Sequence, residues 1–254
     1  MTVTDVTSVT SVTPRLKLKP LHSASASASA STICIKTKLH THQEQIISWA
    51  EKRTGGLIAA YMGSGKTLAA FGIIAHSPGR TLYVCPKPVM QHIKNQCLLH
   101  TNIKPLVYNS DNKYRFTPEM LENAQFIIVN YDMIRLASAS SKLLSGFKYC
   151  FLDEAHIIRN EKTAIHKAVL NIRAERKFAM TGTPIYNERA DARAIAAFCG
   201  VAPFNDRSWW ATHNTDGGWA EWREQSLYLL DAAEFREQLP PLEITVHSDR
   251  KSVV

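Results

Sequence analysis

The sequence lacks the features that mark membrane, secreted and zinc-stabilised proteins. No apolar run reaches the roughly 18 residues that a membrane-spanning helix needs, and the N-terminus has no continuous apolar segment of the secretory type. The cysteines are few and odd in number, and no two are spaced Cys-x-x-Cys: Cys34, Cys85, Cys97, Cys150 and Cys199. This pattern argues against a disulfide framework or a zinc site, and we expect a soluble protein of a reducing, intracellular compartment.

What the sequence does contain is a basic, globular composition. Of its 254 residues, 45% are apolar and 20% are charged, which is enough to form a hydrophobic core. The formal net charge is +8. Residues 1–38 contribute half of it, because they hold five basic residues against Asp5 alone. The excess favours a polyanionic partner, although a solvated basic surface accounts for it equally well.

Residues 1–38 differ in texture from the rest of the chain. Residues 2–13 repeat Thr, Val and Ser, and residues 23–31 alternate Ser and Ala. Neither stretch can bury enough apolar surface to offset the entropy of ordering. We predict a disordered tail over residues 1–38 and one folded domain over residues 39–254. The low acid content of the tail also suits an organelle transit peptide, but Arg15 is its only arginine.

Short apolar runs alternate with helical patterns in the remainder of the chain. The runs predict buried strands at residues 56–60, 81–85, 126–130, 149–153 and 177–181. The segments between them predict helices at residues 66–74, 89–99, 118–124 and 162–172. Strands that alternate with helices form a mainly parallel sheet covered on both faces, so we predict an α/β, three-layer fold. Residues 200–254 are less regular.

A glycine-rich turn follows the first predicted strand. Residues 62–67 read Met-Gly-Ser-Gly-Lys-Thr and lead directly into a helical segment. Glycines allow the tight turn that points backbone N–H groups at a phosphate, and the helix adds the positive end of its dipole. Lys66 can then reach the β and γ phosphates, and Thr67 can bind Mg²⁺. The strict P-loop motif has glycine where Ala60 stands, which leaves an ordinary strand-to-helix turn as the alternative.

An acidic pair follows the fourth predicted strand. Residues 153–156 read Asp-Glu-Ala-His. A carboxylate at the end of a buried strand beside a P-loop can hold Mg²⁺, so Asp153 is the predicted metal residue. Glu154 can lie near the attacking water and act as the general base. Acids often end strands, so the pair gains this meaning only together with the P-loop, and His156 alone is better explained as a structural histidine.

The motifs, taken in order, resemble the N-terminal RecA-like lobe of the Swi/Snf-type DNA-dependent ATPases in helicase superfamily two. The resemblance covers about residues 39–250. Residues 39–43 (Leu-His-Thr-His-Gln) resemble the glutamine motif of that family, which contacts adenine. Residues 84–86, 130–132 and 153–156 resemble three further motifs. Residues 181–184 (Thr-Gly-Thr-Pro) resemble the motif that couples hydrolysis to movement on DNA.

The resemblance implies ATP and Mg²⁺ as cofactors, and double-stranded DNA or chromatin as the partner. The implied catalytic residues are Lys66, Asp153 and Glu154, and the implied metal residues are Thr67 and Asp153. The implied nucleotide-binding residues are Gln43, Met62, Gly63, Ser64, Gly65, Lys66, Thr67 and His156. The implied contacts to the DNA backbone are Lys87, Thr183 and Asn187. A nuclear location follows from the same resemblance.

The C-terminal part of the chain both extends the resemblance and departs from it. This part resembles the branch that contains helicase-like transcription factors and transcription termination ATPases at Phe198 and at residues 203–204, 209–210 and 239–241. The family usually has an arginine pair near residues 229–230, whereas this chain continues with Asp231. The tryptophans at 209, 210, 219 and 222 fit either a platform for stacking bases or an apolar cluster, and we favour the cluster.

A second RecA-like lobe is the part of such a machine that this sequence does not contain. Such a lobe needs on the order of 150 residues, and 71 follow Thr183. In the family that lobe supplies the arginines that complete the ATP site, so we expect little turnover from this chain alone. The alternative is a nucleotide-binding module that does not hydrolyse ATP. A small-molecule P-loop kinase is a third reading, but it leaves residues 153–156 and 181–184 unexplained.

Overall fold

A single parallel sheet organises the part of the chain that the structure describes. The computed structural model describes residues 32–137, 141–182 and 189–237. Seven strands lie in the order β3-β4-β2-β5-β6-β1-β7, and every neighbouring pair is parallel. The strands are β1 (Gly55–Ala60), β2 (Thr81–Cys85), β3 (Leu106–Tyr108), β4 (Phe126–Asn130), β5 (Phe147–Leu152), β6 (Ala174–Thr181) and β7 (Leu227–Leu230).

Helices connect the strands and cover both faces of the sheet. They are α1 (Thr41–Glu51), α2 (Lys66–His76), α3 (Met90–His100), α4 (Pro118–Asn123), α5 (Tyr131–Leu136), α6 (Ala164–Val169), α7 (Arg189–Cys199), α8 (Arg207–Thr212), α9 (Asp216–Ser226) and α10 (Ala232–Glu237). Short 3-10 turns add Lys87–Val89, Lys113–Arg115, Lys142–Leu144 and Ala155–Ile158. Within the described ranges, no helix has the length and apolar character required to cross a membrane.

Two apolar clusters fill the space between the helices and the sheet. Along β1, Leu57 and Ala59 belong to one cluster, and Ile58 and Ala60 belong to the other. This alternation follows from the strand, because successive side chains point to opposite faces. Helices α1, α2 and α3 pack on one face, and α5, α6 and α7 pack on the other. The predicted three-layer α/β fold is therefore confirmed.

The sequence predicted the central strands better than the periphery. Strands β2 and β4 have the predicted bounds, whereas β5 and β6 begin two and three residues earlier than expected. The helix predicted at residues 162–172 is shorter, because α6 covers only Ala164–Val169. Strand β7 lies in the stretch that we expected to be irregular. It has four residues, pairs only with β1 and is fully buried only at its last residue. A strand this short has too few residues for a buried apolar pattern to identify it in the sequence.

Residues 32–38 pack against the end of α3, so the predicted tail boundary at residue 38 is too far along the chain. The side chain of Ile33 is buried. Ile35 forms an antiparallel bridge with Thr101, and the backbone N–H of Lys36 donates to His100 O at 2.8 Å. The tail predicted over residues 1–31 lies outside the described residues.

Arg176 on β6 holds the C-terminal end of α1. Its guanidinium donates to the carbonyl oxygens of Ala50 and Arg53, and to the hydroxyl of Tyr149 at 3.2 Å. Ala50 lies in the last turn of α1 and Arg53 follows the C-cap residue Lys52, so Arg176 ties the end of the helix to the sheet. Because α1 also carries Gln43, this contact helps to fix the helix that borders the glycine-rich turn.

We predict that Arg176→Met lowers the free energy of unfolding by about 2 kcal/mol, because a charged donor to several acceptors is lost. The methionine retains much of the apolar stem that packs near Phe178. Arg115→Met is the matched control, since Arg115 is exposed, and it should change stability by less than about 0.5 kcal/mol. Urea denaturation measures both changes. Equal stability of the two variants would contradict a clamping role for Arg176.

Candidate functional site

The residues singled out in the sequence come together at the carboxyl edge of the sheet. Strands β2, β5, β6 and β1 are consecutive neighbours in the sheet. Because they are parallel, the segments that follow them emerge at one edge, which is where ligands bind in such sheets. Those segments are the glycine-rich loop (residues 61–65), the acidic segment after β5, the 3-10 turn after β2, and Gly182, which directly follows β6.

The glycine-rich loop has the backbone conformation that its glycines permit. Gly63 and Gly65 have φ values of 82° and 76°, in the left-handed region that side chains disfavour. A Cβ built on Gly63 would meet nothing within 4 Å, so this side of the loop is open. A Cβ on Gly65 would collide with Gln43 Nε2. Gly65 also precedes the first residue of α2, and the loop therefore lies at a helix N-terminus.

Gln43 and its neighbour His42 hold the loop from α1. Gln43 Nε2 donates to Ser64 O at 3.1 Å, and His42 Nε2 donates to the same oxygen at 2.7 Å. Gln43 Oε1 accepts from His40 N at 3.0 Å. The glutamine is buried, and two of its hydrogen-bonding positions are used within the protein. Its predicted contact with adenine remains a prediction, whereas its contact with the loop is part of the structure.

A cleft lies beside this contact. Its volume is about 260 Å³, and it is bounded by residues of α1, the glycine-rich loop and α10. Its lining includes His40, His42, Gln43, Gly63, Ser64 and Phe235. The edge of the Phe235 ring faces the His42 ring, with the centroids 5.4 Å apart. An aromatic and imidazole lining next to an anion-binding loop suits a planar heterocycle that is joined to phosphate.

Lys66 is the cationic group of the loop. Its Nζ donates to Ala60 O at 2.9 Å and to Tyr61 O at 3.3 Å. Burial lowers the pKa of Lys66, and the negative charges of Asp153 and Glu154 oppose this shift. The ammonium group is therefore within electrostatic reach of both acids. It is held by carbonyl oxygens that a stronger anionic acceptor can replace.

Asp153 directly follows β5, is partly buried, and accepts hydrogen bonds at both carboxylate oxygens and at its carbonyl oxygen. Its Oδ1 accepts from Glu154 N at 3.0 Å, and its Oδ2 accepts from the Tyr83 hydroxyl at 3.1 Å. Its carbonyl oxygen accepts from the Tyr131 hydroxyl at 2.6 Å. Burial raises the pKa of Asp153, which shows that its negative charge is poorly compensated within the protein. The same Tyr83 hydroxyl lies 3.4 Å from Thr67 Oγ1, so a carboxylate and a threonine hydroxyl, which are oxygen donors of the kind that Mg²⁺ prefers, meet at one phenol.

Glu154 turns the chain sharply after Asp153. Its φ of 52° is the only positive value among the non-glycine residues that the structure describes. Such strain persists where the surrounding structure enforces it, and it is common at functional sites. The Glu154 side chain is 32% exposed, so it can contact a water molecule. His156 Nδ1 lies 3.3 Å from Glu154 Oε2 without hydrogen-bond geometry, so His156 borders the site through Glu154.

The segment after β6 approaches the glycine-rich loop. A Cβ on Gly182 would lie 2.7 Å from Met62 Cγ and 3.4 Å from Lys66 Nζ. Glycine is therefore needed at this position for the close approach. Thr183 and Asn187, both expected to contact DNA, lie outside the described residues. Lys87, the third expected contact, is exposed and pairs with Asp111 at 3.0 Å.

Two buried tryptophans and a buried tyrosine lie outside these motifs. Trp210 and Trp222 are buried in the core, and Trp210 Nε1 donates to Phe204 O at 2.8 Å, so packing accounts for both. Tyr83 was missed by the sequence reasoning, because it lies within an apolar strand. Burial raises its pKa well above the ordinary value, so the phenol stays protonated and can donate to Asp153. The signal in the sequence that could have identified it is a tyrosine within an apolar strand, because a buried phenol needs a hydrogen-bond partner.

The comparisons with known proteins agree with this geometry. The probable global transactivator of Orgyia pseudotsugata multicapsid polyhedrosis virus is 29% identical over 220 residues, covering 79% of this chain and 43% of that protein. The Homo sapiens helicase-like transcription factor is 31% identical over 149 residues, covering 54% of this chain and 14% of that protein. The chain therefore spans less than half the length of these relatives.

A solved structure has the same fold. The Sulfolobus solfataricus SWI2/SNF2 ATPase core in complex with dsDNA superposes with a TM-score of 0.65 at 24% identity, covering 77% of this chain and 45% of that one. At this identity the likeness shows the fold alone. A family model described as the SNF2-related domain matches residues 40–224, which is well over half of the chain. The ordered motifs, the parallel sheet and this match agree, and the chain belongs to the SNF2-related domain family.

Proposed function

We propose that this chain binds ATP with Mg²⁺ at the carboxyl edge of its sheet and is the first RecA-like lobe of a DNA-dependent ATPase. The observation that carries the proposal is the open glycine-rich loop at the N-terminus of α2, with Lys66 within electrostatic reach of Asp153 and Glu154 at the same edge of the sheet. The loop would act as a P-loop, with backbone N–H groups and the N-terminus of α2 facing the phosphates. Lys66 would exchange its carbonyl partners for phosphate oxygens.

The residues that would hold the metal and act as the general base lie at the same edge of the sheet. Thr67 and Asp153 would hold Mg²⁺, which neutralises negative charge on the β and γ phosphates when it is bound. Glu154 would accept the proton of the attacking water, because its carboxylate is accessible and follows Asp153 directly. His156, whose Nδ1 lies 3.3 Å from Glu154 Oε2, would lie at the border of the nucleotide. Gln43 would face the base from the 260 Å³ cleft.

We predict that Lys66→Ala weakens ATP binding by about tenfold or more, because a charge-assisted contact with phosphate is worth roughly 1.5–3 kcal/mol. Lys104→Ala is the matched control, since Lys104 is exposed in the segment that precedes the edge strand β3. Its affinity should stay within about twofold of the unmodified chain. Calorimetric titration with MgATP measures the affinities of the unmodified chain and of the two variants. Equal affinities of the chain and the Lys66 variant would refute the P-loop assignment.

Turnover would require cationic groups beyond those described here. Within residues 32–137, 141–182 and 191–237, no arginine forms a hydrogen bond or ion pair with Asp153 or Glu154. Arg193, on the helix after the Gly182 segment, pairs with Glu161 at 2.6 Å instead. Arginines that stabilise phosphoryl transfer contribute roughly 10³–10⁵ in rate. A second lobe, as the family resemblance implies, would supply them.

We predict that mixing the chain with a second lobe of a family member raises DNA-stimulated ATP hydrolysis by roughly 10³-fold. In that mixture Glu154→Gln should abolish turnover and keep MgATP binding, because glutamine preserves shape and loses the base. Glu224→Gln, on the exposed surface of α9, is the matched control and should behave like the unmodified chain.

Two results would count against this assignment. Turnover of order 1 per second by the chain alone would mean that its own site is sufficient. Unchanged turnover of the Glu154 variant in the mixture would exclude Glu154 as the base. Binding of MgATP without turnover in every mixture would instead favour the alternative function, a regulatory nucleotide-binding module.

Duplex DNA is the partner that the proposal assigns to the same edge. The chain is basic, and the loops after β2 and β6 would contact the phosphate backbone through Lys87, Thr183 and Asn187. Such contacts position a protein on DNA and carry no base specificity. Chromatin and a nuclear site of action follow from the family resemblance, and the name of the helicase-like transcription factor supports them.

We predict that duplex binding is insensitive to base sequence and falls steeply with salt. Each phosphate contact adds about 0.9 to the slope of log affinity against log salt concentration, so Lys87→Ala should reduce that slope by about 0.9. Lys52→Ala is the matched control, because Lys52 is exposed after α1, close to where β1 begins at the opposite edge. Fluorescence anisotropy at several salt concentrations measures the slopes. Salt-independent binding, or equal slopes for both variants, would exclude this contact.

A further inference from the structure

Tyr83 is a polar residue in the middle of an apolar strand. It is fully buried in β2, where the strand reads Thr-Leu-Tyr-Val-Cys. Its ring stacks on Phe126 at 6.0 Å and on Phe151 at 6.3 Å. A phenylalanine would make the same ring contacts, since its neighbours in this layer are phenylalanines. The hydroxyl is therefore the part of Tyr83 that packing does not explain, and a buried hydroxyl is costly unless it is hydrogen-bonded.

The Tyr83 hydroxyl lies between two side chains of the proposed metal site. It donates to Asp153 Oδ2 at 3.1 Å, and it lies 3.4 Å from Thr67 Oγ1. The direction of these contacts follows from the number of protons. An ionised carboxylate can only accept, so the single phenolic proton points to Asp153. The Thr67 hydroxyl must then donate its own proton to the oxygen of Tyr83.

These hydrogen-bond directions leave oxygen lone pairs of Thr67 and Asp153 available to bind a metal ion. Because Thr67 donates its hydroxyl proton in the hydrogen bond to Tyr83, the lone pairs of Thr67 Oγ1 remain available to a cation. Asp153 Oδ1 accepts from Glu154 N and Oδ2 accepts from Tyr83, and each oxygen retains a further lone pair. Both groups are thereby fixed in rotation before any cation arrives. Outer partners of this kind orient the groups that touch a metal and tune its affinity.

We propose that Tyr83 is a positioning residue that aims the Thr67 hydroxyl and the Asp153 carboxylate at the Mg²⁺ of the bound nucleotide. The proposal rests on the proposed function of this edge as an MgATP site. Tyr83 itself does not touch the nucleotide or the metal. Its effect is confined to the part of the nucleotide affinity that depends on Mg²⁺.

The matched control is another buried tyrosine in the same sheet. Tyr149 on β5 is also fully buried, and its hydroxyl donates to Ser77 O at 2.9 Å. Its ring stacks on the same Phe151, at 6.0 Å. Its hydroxyl lies toward the edge of the sheet opposite the proposed site, where it accepts a hydrogen bond from Arg176. Tyr149→Phe therefore removes a buried hydroxyl without disturbing Thr67 or Asp153.

The experiment measures ATP affinity by calorimetry with Mg²⁺ and with EDTA, using the full chain and both variants. The ratio of the two affinities is the Mg²⁺ dependence of binding. We expect Tyr83→Phe to lower this ratio by about tenfold to a hundredfold, as loss of an outer metal partner does. Its affinity in EDTA should stay within about twofold of the unmodified chain. Tyr149→Phe should leave the ratio unchanged.

Three outcomes decide the matter. A ratio for Tyr83→Phe within about twofold of the unmodified chain overturns the proposal, and so does an equal loss of affinity with Mg²⁺ and with EDTA. Failure of the unmodified chain to bind ATP in either condition refutes the proposed function itself, and this proposal with it. Thermal unfolding is recorded for each variant. If Tyr83→Phe is less stable than the unmodified chain, the titrations are made at a lower temperature at which every variant is folded, and the same loss of Mg²⁺ dependence is expected.

Discussion

The parallel pairing of four central strands is the constraint on which the site depends. The backbone register places Val84 opposite Leu152, Leu152 opposite Ala179, and Ala59 opposite Thr181. The carboxyl ends of β2, β5, β6 and β1 thus lie at one edge of the sheet, where β6 and β1 run two to three residues beyond the end of β5. The glycine-rich loop, the acidic segment and the Gly182 segment are far apart in the sequence, yet they must emerge beside one another. Without this register none of the side chains could act together.

Burial gives these side chains their chemistry. Burial raises the pKa of Asp153 and lowers the pKa of Lys66, so the interior disfavours the charged form of each. The two groups attract each other only in part, since Lys66 donates to backbone carbonyls and Asp153 accepts from Tyr83 and Glu154. A ligand with both a dication and phosphate oxygens would supply the missing partner for each group. The edge is therefore electrostatically suited to a metal–nucleotide complex.

The sequence predicted those elements in which characteristic residue types and an apolar pattern occur together. It did not predict contacts between residues that are far apart along the chain. The turn at residues 62–67 was identified because its residue types stand between a strand and a helix, and β2 and β4 were identified because their apolar runs are continuous. The hydroxyl of Tyr83 could not be interpreted, because its partners Thr67 and Asp153 are 16 and 70 residues away. For the same reason the packing of Ile33 near α3 was missed. Neither contact leaves a local pattern.

Amide hydrogen exchange with and without MgATP tests the central claim most directly, because it reports on the backbone of the whole edge at once. Protection follows local opening, so a ligand that bridges these segments should slow their exchange. We predict slower exchange in peptides that cover residues 60–67 and 152–156, and no change in peptides that cover residues 145–149 at the opposite edge. Unchanged exchange at residues 60–67, or protection confined to residues 145–149, would contradict an MgATP site at the carboxyl edge.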